Sequence, residues 1–354
     1  MRTIGVRQSP FRAFTLIELL VVVAIIALLM AVLLPSLAGA RKLARTAVCA
    51  TKIRGICQVM RLYGSEWDDL IVGNGHSSGS FMLSPPAAGV DYPTVNASYA
   101  SSSGWLPLSN TSCPNLCQIW DWEAPIAAEM NYPFNAGRLS SDRSQRYIQL
   151  TNNPAFVCPE NYMLATTYSD ANWLAPTTRM LSYNPAVVFQ YVYDANDPNF
   201  SHTYWDVGFS DVIFPGYQPK IGLVGNPSQK IFIADGARWS EGTDPPDVNL
   251  DYVNTGSPGG QYDDYGPWSI YSRSYNTPNG RARAMRHGSQ QANAPLAAFK
   301  FNAGYFDGHV ETLDGLTGAN PALWVPSGGQ VSYDACFPEV QQKYFSGGGY
   351  RSVP

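Results

Sequence analysis

Glu18 is the one ionisable side chain among residues 14–34, a 21-residue stretch long enough to cross a bilayer. A carboxylate held in hydrocarbon is costly and takes a cationic partner where one exists. Standing fifth in the stretch, Glu18 could also reach the interface as a tolerated edge residue. Three other sets have residue types suited to chemistry. Gly75-His76-Ser77-Ser78-Gly79 has the Gly-x-Ser-x-Gly spacing of a hydrolase nucleophile. Six cysteines could bridge or bind metal. Asp244, Asp247, Asp251, Asp263 and Asp264 crowd one region that could offer oxygen ligands to calcium.

Each set meets a plainer reading. The nucleophile motif needs a sharp strand-to-helix turn, and residues 80–89, with Pro85-Pro86, cannot supply that helix. Ser77 is therefore read as a loop serine, with a serine-hydrolase ectodomain only a distant alternative. The five aspartates lack EF-hand spacing and are read as solvated loop acids, with calcium as the alternative and no cofactor required. Cys49 and Cys57 lie eight residues apart on one predicted helix, roughly 12 Å along its axis, too far to pair with each other. The expected bridges are Cys49 or Cys57 with Cys158, and Cys113 with Cys117. Cys113-x3-Cys117 lacks the second clustered pair of a zinc site.

The elements that position these residues follow from pattern. Residues 1–13 form a basic leader with Arg2, Arg7 and Arg12 and no acid. Residues 14–34 read as a transmembrane span: the apolar core runs past the length of a cleaved secretory signal, and no small-x-small site follows it. An ordinary signal anchor meets the same length. The helix continues to about residue 66, because Cys49, Ile53, Ile56, Met60, Tyr63 and Trp67 fall on one face at 4-3-4-3-4 spacing. Pro35 is a candidate kink within it. Arg41, Lys42 and Arg45 nearly balance the leader arginines across the span, so charge alone leaves orientation open.

Residues 67–354 read as one extracytoplasmic head. Residues 230–234 form a short strand ended by Asp235-Gly236, and residues 298–306 and 309–313 a β-hairpin turned at Asp307-Gly308. No regular strand–helix alternation is present, so the expected class is α+β: a long helix on an antiparallel sheet with long loops. Segments 73–118 and 240–267 are rich in Gly, Ser, Pro, Asn and Asp and read as loops. Only 14% of residues are charged, and losing the leader arginines takes the formal charge from −4 to −7. That balance argues against nucleic-acid binding, which wants a basic footprint.

The spelling of residues 14–26, Phe-Thr-Leu-Ile-Glu-Leu-Leu-Val-Val-Val-Ala-Ile-Ile, resembles the start of type IV prepilins and pseudopilins. The resemblance implies cleavage before Phe14 by a prepilin peptidase, methylation of the new N-terminus, and an inner-membrane protein with its N-terminus inside and its head outside. It also assigns Glu18, the fifth mature residue, to the N-terminal amine of a neighbouring subunit, and matches Pro35 to a frequent mature-position proline. Ala13 stands where the family normally has Gly before the cut, and slower cleavage is expected. Residues 40–63, Phe156-Val157-Cys158-Pro159 and Ser182-Tyr183-Asn184 are similar to segments of large pseudopilin-like proteins. His287 with Asp307, Gly308 and His309 resembles the His-x9-Asp-Gly motif of processing-associated prepilin-type proteins, although nineteen residues separate His287 from Asp307 here.

The expected function is a non-enzymatic filament subunit of a type II secretion or type IV pilus-like machine. The alternative is a membrane-anchored surface binding module, in which loop aromatics such as Trp105, Trp120, Trp122, Trp239 and Trp268 grip carbohydrate or another polymer.

Overall fold

The computed structural model describes residues 15–72, 122–135, 140–164, 166–167, 179–190, 213–237, 247–248, 264–272, 274–275 and 277–354. One helix, α1 (Leu16–Glu66), spans 51 residues and continues through Pro35. It ends where Asp68 and Asp69 take left-handed backbone angles, φ 53° and 65°. The described residues divide into two compact units, one up to Arg45 and the other from Thr46 onward.

In the first unit the apolar side chains from Leu16 to Leu37 are exposed on every face of the helix. An all-round apolar helix is stable only in lipid or among other helices. This is a membrane-anchoring segment, long and apolar enough to span.

The second unit is built on a four-stranded antiparallel sheet. Its strands are β1 (Tyr183–Pro185), β2 (Ile231–Asp235), β3 (Lys300–Tyr305) and β4 (Val310–Asp314), paired in that order. All five residues of β2 are buried, as a continuous apolar run requires when both faces are covered. Phe232 packs on Phe306, 5.5 Å between ring centres, while Ile233 faces α1. Around the sheet lie α2 (Glu123–Glu129), α3 (Ser140–Thr151), α4 (Pro278–Ala284) and α5 (Pro338–Tyr344). A second small pairing joins β5 (Gln330–Ser332) to β6 (Tyr350–Ser352). The fold is α+β, a long helix with an antiparallel sheet.

The stripe on α1 docks on this sheet. Cys49, Ile53, Ile56, Cys57, Met60 and Tyr63 are fully buried. Trp67, read as the last member of the stripe, lies past the helix end and is 39% exposed. The two elements approach closely at Gly304 of β3, where a Cβ would stand 2.4 Å from Cys57 Sγ and 2.5 Å from Ile53 Cγ2. Contacts at both ends fix the direction of the crossing. Asn302 Nδ2 donates to Thr46 O at 3.3 Å, and Arg61 Nη1 donates to Asp307 O at 2.7 Å, so α1 runs along β3 in the same sense.

The hairpin expected around Asp307-Gly308 is present, with a three-residue loop. Tyr305 N donates to His309 O at 3.0 Å and Gly308 N to Tyr305 O at 2.9 Å. Only Gly308 takes a positive φ, 94°, the position where such loops favour glycine. The strand expected at 230–234 is shifted by one residue: Lys230 precedes it and Asp235 belongs to it. Lys230 O still accepts from Phe306 N at 3.1 Å, while its ammonium donates to Ala322 O at 2.8 Å and Val325 O at 2.9 Å.

Candidate functional site

Among the described residues, two places concentrate function-bearing side chains. At the N-terminus, Thr15 immediately precedes α1, and Glu18 is the third helical residue. Thr15 N and Thr15 Oγ1 each donate to Glu18 Oε2 at 2.9 Å, and Glu18 N donates to Thr15 Oγ1 at 3.3 Å. This is a reciprocal capping box, satisfying backbone donors that the first helical turn leaves open. The Thr15-x-x-Glu18 spacing announced it, and the charge reading passed over it. Glu18 is exposed, so its carboxylate can exchange this local role for an intermolecular one. Ala13 and Phe14 lie outside the described residues.

The second place is a buried polar cluster in the head, assembled from four chain segments. Cys49 comes from α1 and Cys158 from the turn after α3. Asp235 ends β2, and His287 follows α4. Local structure aims each one. Cys158 N donates to Ser182 Oγ at 2.9 Å, and Asn161 Nδ2 reaches Met180 O, Leu181 O and Ser182 Oγ at 2.8–3.0 Å, pinning the Cys158 turn beside β1. Thr277 caps α4 by accepting from Gly280 N at 2.9 Å, and His287 N then donates to Lys300 O at 3.1 Å, against the start of β3.

The side chains converge closely. Cys49 Sγ lies 3.2 Å from Asp235 Oδ1 and 3.4 Å from the Tyr183 hydroxyl. His287 Nε2 lies 3.2 Å from Asp235 Oδ2 and 3.8 Å from Cys158 Sγ. The other ring nitrogen, Nδ1, meets Glu160 Oε2 at 2.9 Å and Thr46 Oγ1 at 3.2 Å. Arg286 stands 3.9 Å from Asp235 and donates to Ser182 O at 2.9 Å and to Gly236 O.

These charges set one another. Burial pushes His287 down, but the Asp235 carboxylate outweighs it and lifts the imidazole to about 10. Burial pushes Asp235 up, and His287 with Arg286 and the Asn302 N–H hold it below its ordinary value. The hydrogen bond from Cys49 brings the Cys158 thiol down to about 5 against burial, helped by His287 and Arg286. Cys49 is pushed well up, by burial first and then by Cys158 and Asp235. The Cys158 thiol, lowered, thus stands beside the raised His287 imidazole.

Such a pair is nucleophilic in a cleft, but both sulfurs are fully buried. A pocket of about 350 Å³ opens beside the cluster, lined by Glu160, Asn161, Arg283, Arg286 and Gln290 among others, and by neither sulfur. Among the described residues, the side chains able to hold a metal ion together are Cys49, Cys158, Asp235 and His287.

Residues 9–34 match the prokaryotic N-terminal methylation motif. The matched segment includes the capping box and most of the exposed apolar helix. The chain fits a type IV prepilin-like protein. Proteins with this motif are structural pilin subunits, and the motif implies processing by prepilin peptidase and assembly with other pilin subunits. No curated protein and no solved structure matches the chain.

The remaining expected sites of this prepilin-like chain separate in space. His287 belongs to the buried cluster, whereas Asp307, Gly308 and His309 form the hairpin loop. Asp307 Oδ1 accepts from His309 N at 3.1 Å and pairs with its ring Nδ1 at 2.5 Å. Among the described residues no hydrogen bond or ion pair joins His287 to Asp307. Of the two helix cysteines, Cys49 is the one that meets Cys158. Cys57 packs against Gly304 instead, its thiol raised by burial. Cys49, Cys57, Cys158 and Cys336 are free thiols in this structure. Cys113, Cys117 and Ser77 lie outside the described residues.

Asp264 was read as a solvated loop acid, and the structure corrects that. It is buried and accepts from Ser274 N at 2.7 Å, Gly266 N at 3.2 Å and the Ser272 hydroxyl. Asp247 lies in a two-residue pairing with Thr166–Thr167, and Asp244, Asp251 and Asp263 lie outside the described residues. Trp122 and Trp268, offered as surface grips, are fully buried and serve the core. Trp105, Trp120 and Trp239 lie outside the described residues. The pattern reading missed Asp235 and Glu160. Asp235-Gly236 carries a turn signature, and no spacing in the sequence relates either acid to Cys49 or His287.

Proposed function

We propose that this prepilin-like chain is a structural subunit of a type II secretion pseudopilus or type IV pilus-like filament, and not an enzyme. A prepilin peptidase cuts between Ala13 and Phe14 and the new amine is methylated. The N-terminus faces the cytoplasm, and the head lies in the periplasm or at the cell surface. The observation that carries this reading is the methylation motif over residues 9–34 on a helix whose apolar surface is exposed all round and broken by Glu18 alone.

That surface supports two successive states. Before assembly, lipid covers it. In a filament, the same side chains pack against the helices of neighbouring subunits, a head-to-tail contact that extends without closing. Glu18 then exchanges its Thr15 cap for the ammonium of a neighbour's Phe14, which neutralises a charge that hydrocarbon penalises and sets the axial step. N-terminal peptide mass spectrometry on protein recovered from cells tests the first step. The expected species begins with N-methylated Phe14; an intact Met1 start, or a cut beyond Leu34, overturns the reading.

A further inference from the structure

We propose that Cys49, Cys158, Asp235 and His287 form a closed structural zinc site that clamps the second half of α1 to the sheet. The four ligand atoms come from segments more than forty residues apart in sequence, and all lie within 4.8 Å of one another. Tetrahedral zinc, with bonds of about 2.0–2.3 Å, places its ligands roughly 3.3–3.8 Å apart. Cys49 Sγ lies 3.2 Å from Asp235 Oδ1, His287 Nε2 3.2 Å from Asp235 Oδ2 and 3.8 Å from Cys158 Sγ, so either carboxylate oxygen already stands within an edge length of one neighbouring ligand. Two sulfurs, an imidazole nitrogen and a carboxylate oxygen are the donor types zinc takes. Four protein ligands with no opening to solvent are the mark of a structural site.

The surroundings are those of a ligated histidine. Nδ1 of His287 is held by Glu160 Oε2 at 2.9 Å, which leaves Nε2 pointing at the other three ligands, the carboxylate–histidine arrangement that orients metal-bound imidazoles. Asp235 is fixed by the Asn302 N–H at 2.7 Å. Arg286 stands beside the carboxylate, 3.9 Å from Asp235.

The competing fate of the same sulfurs is a Cys49–Cys158 disulfide, and the two are chemically exclusive. The full-length chain is purified in detergent without reductant and its metal content measured, with about one zinc per chain expected. After denaturation with a chelator, and with no reductant, Cys49 and Cys158 should both be alkylated. The cobalt-loaded chain should show thiolate-to-cobalt charge-transfer absorption that Cys49→Ser diminishes and Cys57→Ser leaves intact. A cross-linked Cys49–Cys158 peptide overturns the proposal. So does a chain that takes up neither zinc nor cobalt, or a charge-transfer band unchanged in Cys49→Ser. Should Cys49→Ser fail to fold, metal content and alkylation of the unsubstituted chain decide alone.

Discussion

Gly304→Ala tests the contact that seats the long helix on the head. The added methyl would lie 2.4 Å from Cys57 Sγ, 2.5 Å from Ile53 Cγ2 and 3.3 Å from Ile233 Cγ2. Ordinary carbon contacts are about 3.5–4.0 Å, so the overlap with each helix residue exceeds roughly 1 Å. Neither neighbour is the free end of a flexible chain: Ile53 is β-branched and Cys57 has a single side-chain torsion. The helix must lift or the strand must bend, at about 1–3 kcal/mol for overpacking. Against this stands about 0.4–1 kcal/mol gained because alanine restricts the unfolded chain. A net loss of about 1–2 kcal/mol is expected. Urea unfolding of the detergent-solubilised chain, followed by tryptophan fluorescence, should show a lower midpoint at unchanged slope. Adding Cys57→Ala should recover part of the loss, because the two changes share one contact. Gly348→Ala, with nothing within 4 Å of its Cβ, is the control and should stay within about 0.5 kcal/mol. Equal midpoints for Gly304→Ala and the unsubstituted chain would show that α1 does not cross β3 at this point.

Glu18→Gln separates the two roles of that residue. Glutamine keeps the capping box with Thr15 but carries no charge, so helix content by circular dichroism should be unchanged while filament yield by electron microscopy collapses. Normal filaments would remove charge pairing from the assembly step. Asp264→Ala should lower the urea midpoint sharply, since each buried donor it abandons costs about 1–3 kcal/mol. Calcium should leave the midpoint of the unsubstituted chain where it is; a calcium-dependent rise that Asp264→Ala abolishes would contradict the structural role of this carboxylate.

Much of the fold was legible because it rests on local periodicity. The 3.6-residue spacing of Cys49, Ile53, Ile56, Met60 and Tyr63 specified which face of α1 is buried, and Asp307-Gly308 specified a hairpin. Trp67 failed because the backbone turns left-handed immediately after it, which ends the period. Asp264 failed for a different reason: local composition makes an acid in a Gly/Pro-rich stretch look solvated, while three donors from later in the chain bury it.

By itself, then, the sequence determined the membrane anchor, the processing motif and the long helix with its docking face, since each depends on residues within a few turns of one another. It also placed Glu18, because one acid among apolar neighbours is a local contrast. Only the tertiary structure decided which cysteine meets Cys158 and that Asp235 and His287 join them. Sequence spacing carries no information on contacts closed by the packing of α1, β2 and the turns after α3 and α4. Four side chains from distant segments share one small buried volume, where their polar atoms are satisfied by one another and by Tyr183, Glu160, Arg286 and the Asn302 N–H.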